Sequence, residues 1–168
     1  MGMLDFGPVG ATRRNHGIEH ATIHVLTERF PQLALAGRAD HTGFFIFGEV
    51  PTEEIAPAVE EAMNRVRNGQ PDLVVHPRCG TNLVVAGVLA GLSSFVMANG
   101  PEEETMWEKL PRMILGTTAA LLIAQPLGPK VQEKWTTSSN FEGAYLKDIK
   151  KRQSGTMMIH RVEIGSFA

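Results

Sequence analysis

Nineteen consecutive residues, Gly80 to Ala98 (GTNLVVAGVLAGLSSFVMA), carry no charged side chain. As a helix they reach about 28 Å, close to the thickness of a bilayer's hydrocarbon core. A second charge-free run, Met113 to Pro129 (MILGTTAALLIAQPLGP), follows after a short polar interval. Backbone groups in lipid must be satisfied within their own segment, so the two runs predict a two-helix transmembrane hairpin. The interval, Gly100 to Arg112, holds Pro101 and the acidic Glu102, Glu103, Glu104 and Glu108 against Lys109 and Arg112. It reads as a loop on the far side of the membrane.

Positive charge gathers outside the pair. Arg65, Arg67 and Arg78 precede the first run, and Lys130, Lys134, Lys147, Lys150, Lys151 and Arg152 follow the second. By the positive-inside rule both termini face the cytoplasm. Gly87 with Gly91, and Gly116 with Ala120, stand four apart, so the two helices are expected to approach each other through them. Trp107 and Trp135 fall just outside the runs, where interfacial aromatics belong. The competing reading is a soluble helical hairpin buried in a core or a dimer interface, as shorter apolar runs often are.

Composition removes other classes. Sixteen Lys and Arg against eighteen Asp and Glu give a net charge of −2. Without a surplus of cations to neutralise phosphates, no dedicated nucleic-acid binder is expected. Cys79 is the single cysteine, so no intrachain disulfide forms and a reducing compartment is the natural setting. The opening MGMLDFGPVG lacks the basic-then-apolar pattern of a secretory signal, and the NHGIEHATIH that follows Arg13-Arg14 is too polar for a twin-arginine signal core.

Around the runs, Thr12 is expected to cap a helix from about Arg13 to Phe30, stopped by Pro31, with Ile18, Thr22, Val25 and Leu26 on one side and histidines on another. Leu33 to Ala36 and Gly43 to Phe47 (GFFIF) read as a β-hairpin. Thr52 caps a second helix through about Arg67, with Ile55, Val59, Met63 and Val66 at helical spacing. Leu73 to Val75 and Thr156 to Ile164 read as two further short strands, and Thr136, Thr137 and Ser138 either cap a C-terminal helix or line a site. The fold class expected is α+β, a small cytoplasmic α+β layer joined to a two-helix transmembrane hairpin. Residues 1–79 form the α+β region with its His-rich helix, 80–129 the hairpin, and 130–168 a cytoplasmic C-terminal segment.

His16, Glu19 and His20 spell H-x-x-E-H. Positions i, i+3 and i+4 share a helical face, so two imidazoles can hold one zinc ion while the carboxylate takes a proton from water, the inverse of the H-E-x-x-H metallopeptidase arrangement. His24 extends the stripe by a turn. A catalytic zinc needs a further protein ligand, and HPRCGTN offers His76 and Cys79. Gly80, Thr81 and Asn82 then open a helix whose N–H groups can hold an oxyanion. The bland alternatives are a turn before a membrane helix for HPRCGTN, and a structural polar face, or haem or pigment ligation, for the histidine stripe. His41 and His160 read as a loop and a strand-surface residue. Gly17 weakens the helix that carries the ligands by up to about 1 kcal/mol.

HGIEHATIH, HPRCGTN before an apolar helix and PLGPKVQEKWTTS after a second together resemble the YqhQ-like membrane proteins, a bacterial family of unknown function in which H-G-x-E-H-x-T-I, H-P-R-C-G-T and Q-x-x-T-T blocks occur in this order. The resemblance covers about a third of the chain; the GFFIF hairpin and second helix differ, so the chain reads as a short relative in a neighbouring family. It implies a bacterial inner-membrane protein in which His16, Glu19, His20, His76 and Cys79 share one site, and it implies no established reaction. The expectation is a zinc-dependent, peptidase-like hydrolase at the cytoplasmic membrane surface, with His16 and His20 on zinc, His76 or Cys79 completing the site and Glu19 as base. The rival is a non-catalytic accessory subunit of a larger membrane complex or homo-oligomer.

Overall fold

The computed structural model describes residues 6–99, 104–155 and 157–167, and the chain divides into two compact units, residues 77–132 and the remainder. The larger unit is α+β. It contains α1 (Gly7–Arg29), β1 (Ala36–Asp40), β2 (Gly43–Phe47), α2 (Thr52–Arg67), a 3₁₀ turn at Pro71–Val74, β3 (Ala144–Ser154) and β4 (Met157–Ser166). The four strands form one antiparallel sheet in the order β1-β2-β4-β3, so the C-terminal segment completes a sheet begun near the N-terminus.

Alternation on GFFIF decides which face of this sheet is dry. Phe44 and Ile46 are buried, and their cross-strand partners on β4 are Val162 and His160. Phe44, Ile46 and Val162 pack with Ile18, Val25 and Leu26 of α1 and Ile55, Val59, Met63 and Val66 of α2 into one core. Phe45 and Phe47 stack on the other face, where the Arg161 guanidinium lies 4.5 Å from the Phe45 ring. Arg161 also grips both Asp40 oxygens at 2.8 Å. Burial pushes the Asp40 carboxyl up, but hydrogen bonds from Arg161 and Thr42 outweigh it and hold the pKa at about 2. The turn between β1 and β2 closes with Thr42 N donating to Asp40 Oδ1. Gly43 follows with φ 152°, and a Cβ there would stand 2.0 Å from Val162 O, so only glycine fits.

Several expectations are corrected here. α1 begins six residues before Arg13, because Pro8 in its first turn pre-sets the helical φ; Thr12 lies inside the helix and donates to Pro8 O. The first strand is Ala36–Asp40 instead of Leu33–Ala36. Leu73 to Val75 is no strand: it overlaps the 3₁₀ turn opened by Pro71. The stretch after Ser138 forms the edge strand β3, not a helix. His160 is fully buried with Nε2 3.0 Å from Thr52 Oγ1, and burial, helped by Lys151, lowers its pKa.

The smaller unit is a helical hairpin, α3 (Gly80–Ala98) and α4 (Met106–Val131), the latter continuing through a π-helical turn at Gln132–Thr136. Both are long and apolar enough to cross a membrane. Of the expected loop, Gly100 to Glu103 lie outside the described residues, while residues from Met106 onward are helical, opened by a Thr105–Glu108 capping box. Ser94 and Thr117 hydrogen-bond across the helices at 2.7 Å, and Arg112 Nε donates to Met97 O.

The contact between α3 and α4 does not run through Gly87 and Gly91. A Cβ added at either meets nothing within 4 Å, whereas one at Gly116 would stand 2.7 Å from Met97 Cγ and one at Gly128 would stand 2.5 Å from Asn82 Oδ1. The close approach is made by α4's small residues, Gly116, Ala120, Ala124 and Gly128, and α3 leaves its own glycines on its outer face.

Candidate metal centre

Within the α+β unit, α1 presents His16, His20 and His24 along one stripe, as spacing four apart requires. The His16 and His20 rings meet edge to face with centroids 4.3 Å apart. His76, at the end of the segment that follows the 3₁₀ turn, joins them: its ring centroid lies 5.7 Å from His20 and 4.8 Å from His24. Four imidazoles from two distant stretches of sequence therefore form a continuous row.

Backbone carbonyls set their tautomers. A carbonyl oxygen can only accept, so the ring nitrogen facing it carries the proton. His16 Nδ1 donates to Thr136 O at 3.0 Å, and His20 Nδ1 donates to Val74 O at 2.7 Å. In the neutral rings both lone pairs are thereby directed to Nε2. His24 is turned the other way, with Nε2 donating to Val75 O at 3.0 Å. An imidazole whose second nitrogen donates to a carbonyl is the arrangement that orients metal-ligating histidines.

The remaining contacts hold α1 beneath this row. Arg13 donates to Lys134 O and Thr137 O, and Ser138 N donates to Arg13 O. Gly17 is the position this docking demands, since a Cβ there would lie 2.3 Å from Ser138 O. Sequence reasoning treated Gly17 as a weakness of the helix; it is the place where the 133–138 segment reaches the helix backbone. Thr136 meets His16 through its carbonyl, which no side-chain pattern announces, and Ser138 N binds the α1 backbone at Arg13 O.

Glu19 is 3% exposed, and its carboxylate lies against β1 at Gly37, where a Cβ would stand 2.2 Å from Oε1. The glycine makes room for a buried carboxylate. Cys79 belongs to the smaller unit as the N-cap of α3, its Sγ accepting from Thr81 N at 3.4 Å, and it follows His76 by three residues. One ring nitrogen of His16 and one of His20 lie within 4.8 Å of each other; two ligands of a tetrahedral zinc ion stand about 3.4 Å apart. Two imidazoles whose Nε2 atoms carry the lone pair, with a third ring beside His20, are nitrogen donors of the kind zinc takes.

Residues 11–149 match a domain of unknown function, DUF6391. The chain belongs to this family. All five candidate residues, His16, Glu19, His20, His76 and Cys79, fall inside the matched DUF6391 region. An uncharacterised protein of Picosynechococcus sp. is 34% identical over 141 residues, which cover 75% of this chain and 65% of the relative. The chain thus spans about two thirds of that relative's length. No solved structure matches the chain. The coarser expectation, a family of unknown function, stands; the likeness to the YqhQ-like proteins rests on the three sequence motifs alone.

Proposed function

We propose that this DUF6391 protein is a membrane-anchored, zinc-dependent hydrolase acting on peptide bonds. The observation that carries the reading is the pair of carbonyl anchors, Thr136 O and Val74 O, which give His16 and His20 the same tautomer on one helical face. His16 and His20 would hold the ion through Nε2, and His76, with its ring centroid 5.7 Å from that of His20, would complete the set. Zinc supplies Lewis-acid polarisation of a carbonyl and a lowered pKa for water. Glu19, held in a dry position beside Gly37, takes the proton from the attacking water and passes it to the leaving amine. Both termini and the α+β unit face the cytoplasm of a bacterial inner membrane, on the distribution of lysine and arginine.

The test is peptide hydrolysis by the zinc-loaded full chain in detergent. Glu19→Gln is expected to reduce turnover by about a hundredfold or more while zinc content stays unchanged, since the carboxylate moves protons and is not a ligand. Equal turnover of the two proteins at equal zinc content overturns the catalytic role.

A second reading is favoured by one observation. Gly87 and Gly91 lie on the outer face of an apolar helix with open space before them, a surface suited to another transmembrane helix. On that reading the protein is a non-catalytic subunit of a homo-oligomer or larger membrane complex, and the histidine row has a structural or metal-holding role.

A further inference from the structure

Successive helical residues turn about 100°, so Arg14 and His16 point to opposite sides of α1. On Arg14's side lies a cavity of about 530 Å³ within the α+β unit, lined by Gly10, Arg14, Ser138, Asn140, Ser166 and Phe167 among others. Arg14 differs from other arginines of the chain. Arg29, Arg65, Arg112 and Arg161 each pair with a carboxylate, and Arg13 and Arg67 are held by carbonyls. Arg14 is held through a hydroxyl, Nη1 donating to Ser166 Oγ at 3.0 Å. Among the described residues no carboxylate lies within ion-pair distance of it and nothing accepts from its buried Nε. Burial lowers its pKa, the direction expected of a cation partly withdrawn from water without a counter-charge.

Two of the neighbouring polar side chains are left to donate. Asn140 Oδ1 accepts from Glu142 N, which leaves the amide N–H groups of Asn140 to donate, and Ser138 Oγ accepts from Asn140 N, which leaves its own O–H to donate. Phe167, 71% exposed and stacked on Tyr145 at 4.4 Å, supplies an apolar wall. We propose that this cavity binds an organic oxyanion, a carboxylate or phosphate ester. Arg14 provides the counter-charge, Ser138 and Asn140 donate neutral hydrogen bonds, and the carbon body rests on Gly10 and the Phe167 ring. Glu142 also lines the cavity and repels an anion from that end, so the charged group of the ligand sits at Arg14. The site is separate from the histidine row and does not depend on it.

The experiment is an amide NMR titration of the full chain in phosphatidylcholine nanodiscs, with inorganic phosphate and phenyl phosphate as probes. Shifts at Ser138, Asn140 and Ser166 are expected, with phenyl phosphate binding more tightly than phosphate. Arg14→Gln is expected to weaken both about tenfold or more, Arg14→Lys to retain part of the affinity, and Glu142→Gln to tighten it. If the same shifts arise without probe in phosphatidic acid nanodiscs, the source of the oxyanion is a lipid headgroup; if they need the soluble probe, it is a free metabolite. Absence of shifts under all conditions, undiminished binding by a folded Arg14→Gln chain, or weaker binding by Glu142→Gln overturns the proposal.

Discussion

The α+β unit and the helical hairpin place their apolar side chains in opposite ways. In the first, Phe44, Ile46, Ile18, Leu26, Ile55 and Val59 are entirely buried, while Arg29 pairs with Glu54 and Glu61 near the surface. In the second, α3 buries none of its residues and α4 buries Ala120, Ala124 and Gly128, while Leu83, Leu92, Phe95 and Leu115 point outward. Water drives the first arrangement by expelling large side chains from its surface. The second makes sense where the surroundings are themselves apolar: large residues then gain nothing from facing inward, and close contact falls to small residues and to hydrogen bonds such as Ser94 to Thr117.

The contrast is tested most severely by truncating a large side chain in each unit. Phe44→Ala is expected to destabilise the α+β unit by about 3–5 kcal/mol, whereas Leu115→Ala on the outer face of α4 should change hairpin stability by less than about 0.5 kcal/mol. Denaturant titration of the full chain in micelles, followed by amide exchange in each unit, separates the two. A comparable loss at both sites would mean that the outer face of α4 is buried by something else.

A smaller effect sharpens the account of the hairpin. Gly116→Leu forces bulk against Met97 and Ser93 and is expected to cost about 2 kcal/mol. Gly91→Leu adds its side chain where a Cβ meets nothing and should leave the hairpin unchanged. Unfolding of the hairpin in bicelles measures both, and the opposite order would place the helix contact on α3's glycines after all.

The smallest effect concerns charge in the watery unit. Asp40 titrates at about 2 against an ordinary 3.8 because Arg161 and Thr42 outweigh the burial that raises it. A depressed carboxyl pKa stabilises the fold above the unfolded value and loses that contribution as pH falls through the folded one. With the side chain 40% exposed, solvent screening reduces the contribution to about 1 kcal/mol. Stability should therefore decline between about pH 4 and pH 2, and Asp40→Asn should flatten that decline.

Much of the hairpin was legible because a run without charges is a signal independent of tertiary context: the first run coincides with α3 from Gly80 to Ala98. GFFIF was legible because alternation and aromatic content agree. Strand β3 was not, since AYLKDIKKRQS is an edge strand whose charges face water, and its pairing with β4 is a long-range choice. Leu73 to Val75 looked like a strand by composition, yet Pro71 bends the backbone into a 3₁₀ turn. The histidine stripe on α1 could be read from spacing alone. What places His76 beside it, and what sets the tautomers, are carbonyls of residues 74, 75 and 136, and carbonyls leave no trace in side-chain patterns. The role of Gly17 was hidden for the same reason.

The central claim is that His16 and His20 hold a metal ion. Elemental analysis of the purified full chain, zinc-loaded and then dialysed free of loose metal, tests it most directly. The account predicts about one zinc per chain in the wild type and in Glu19→Gln, with near-complete loss in His20→Ala. Wild-type protein without stoichiometric zinc, or a folded His20→Ala chain that retains it, would contradict the account.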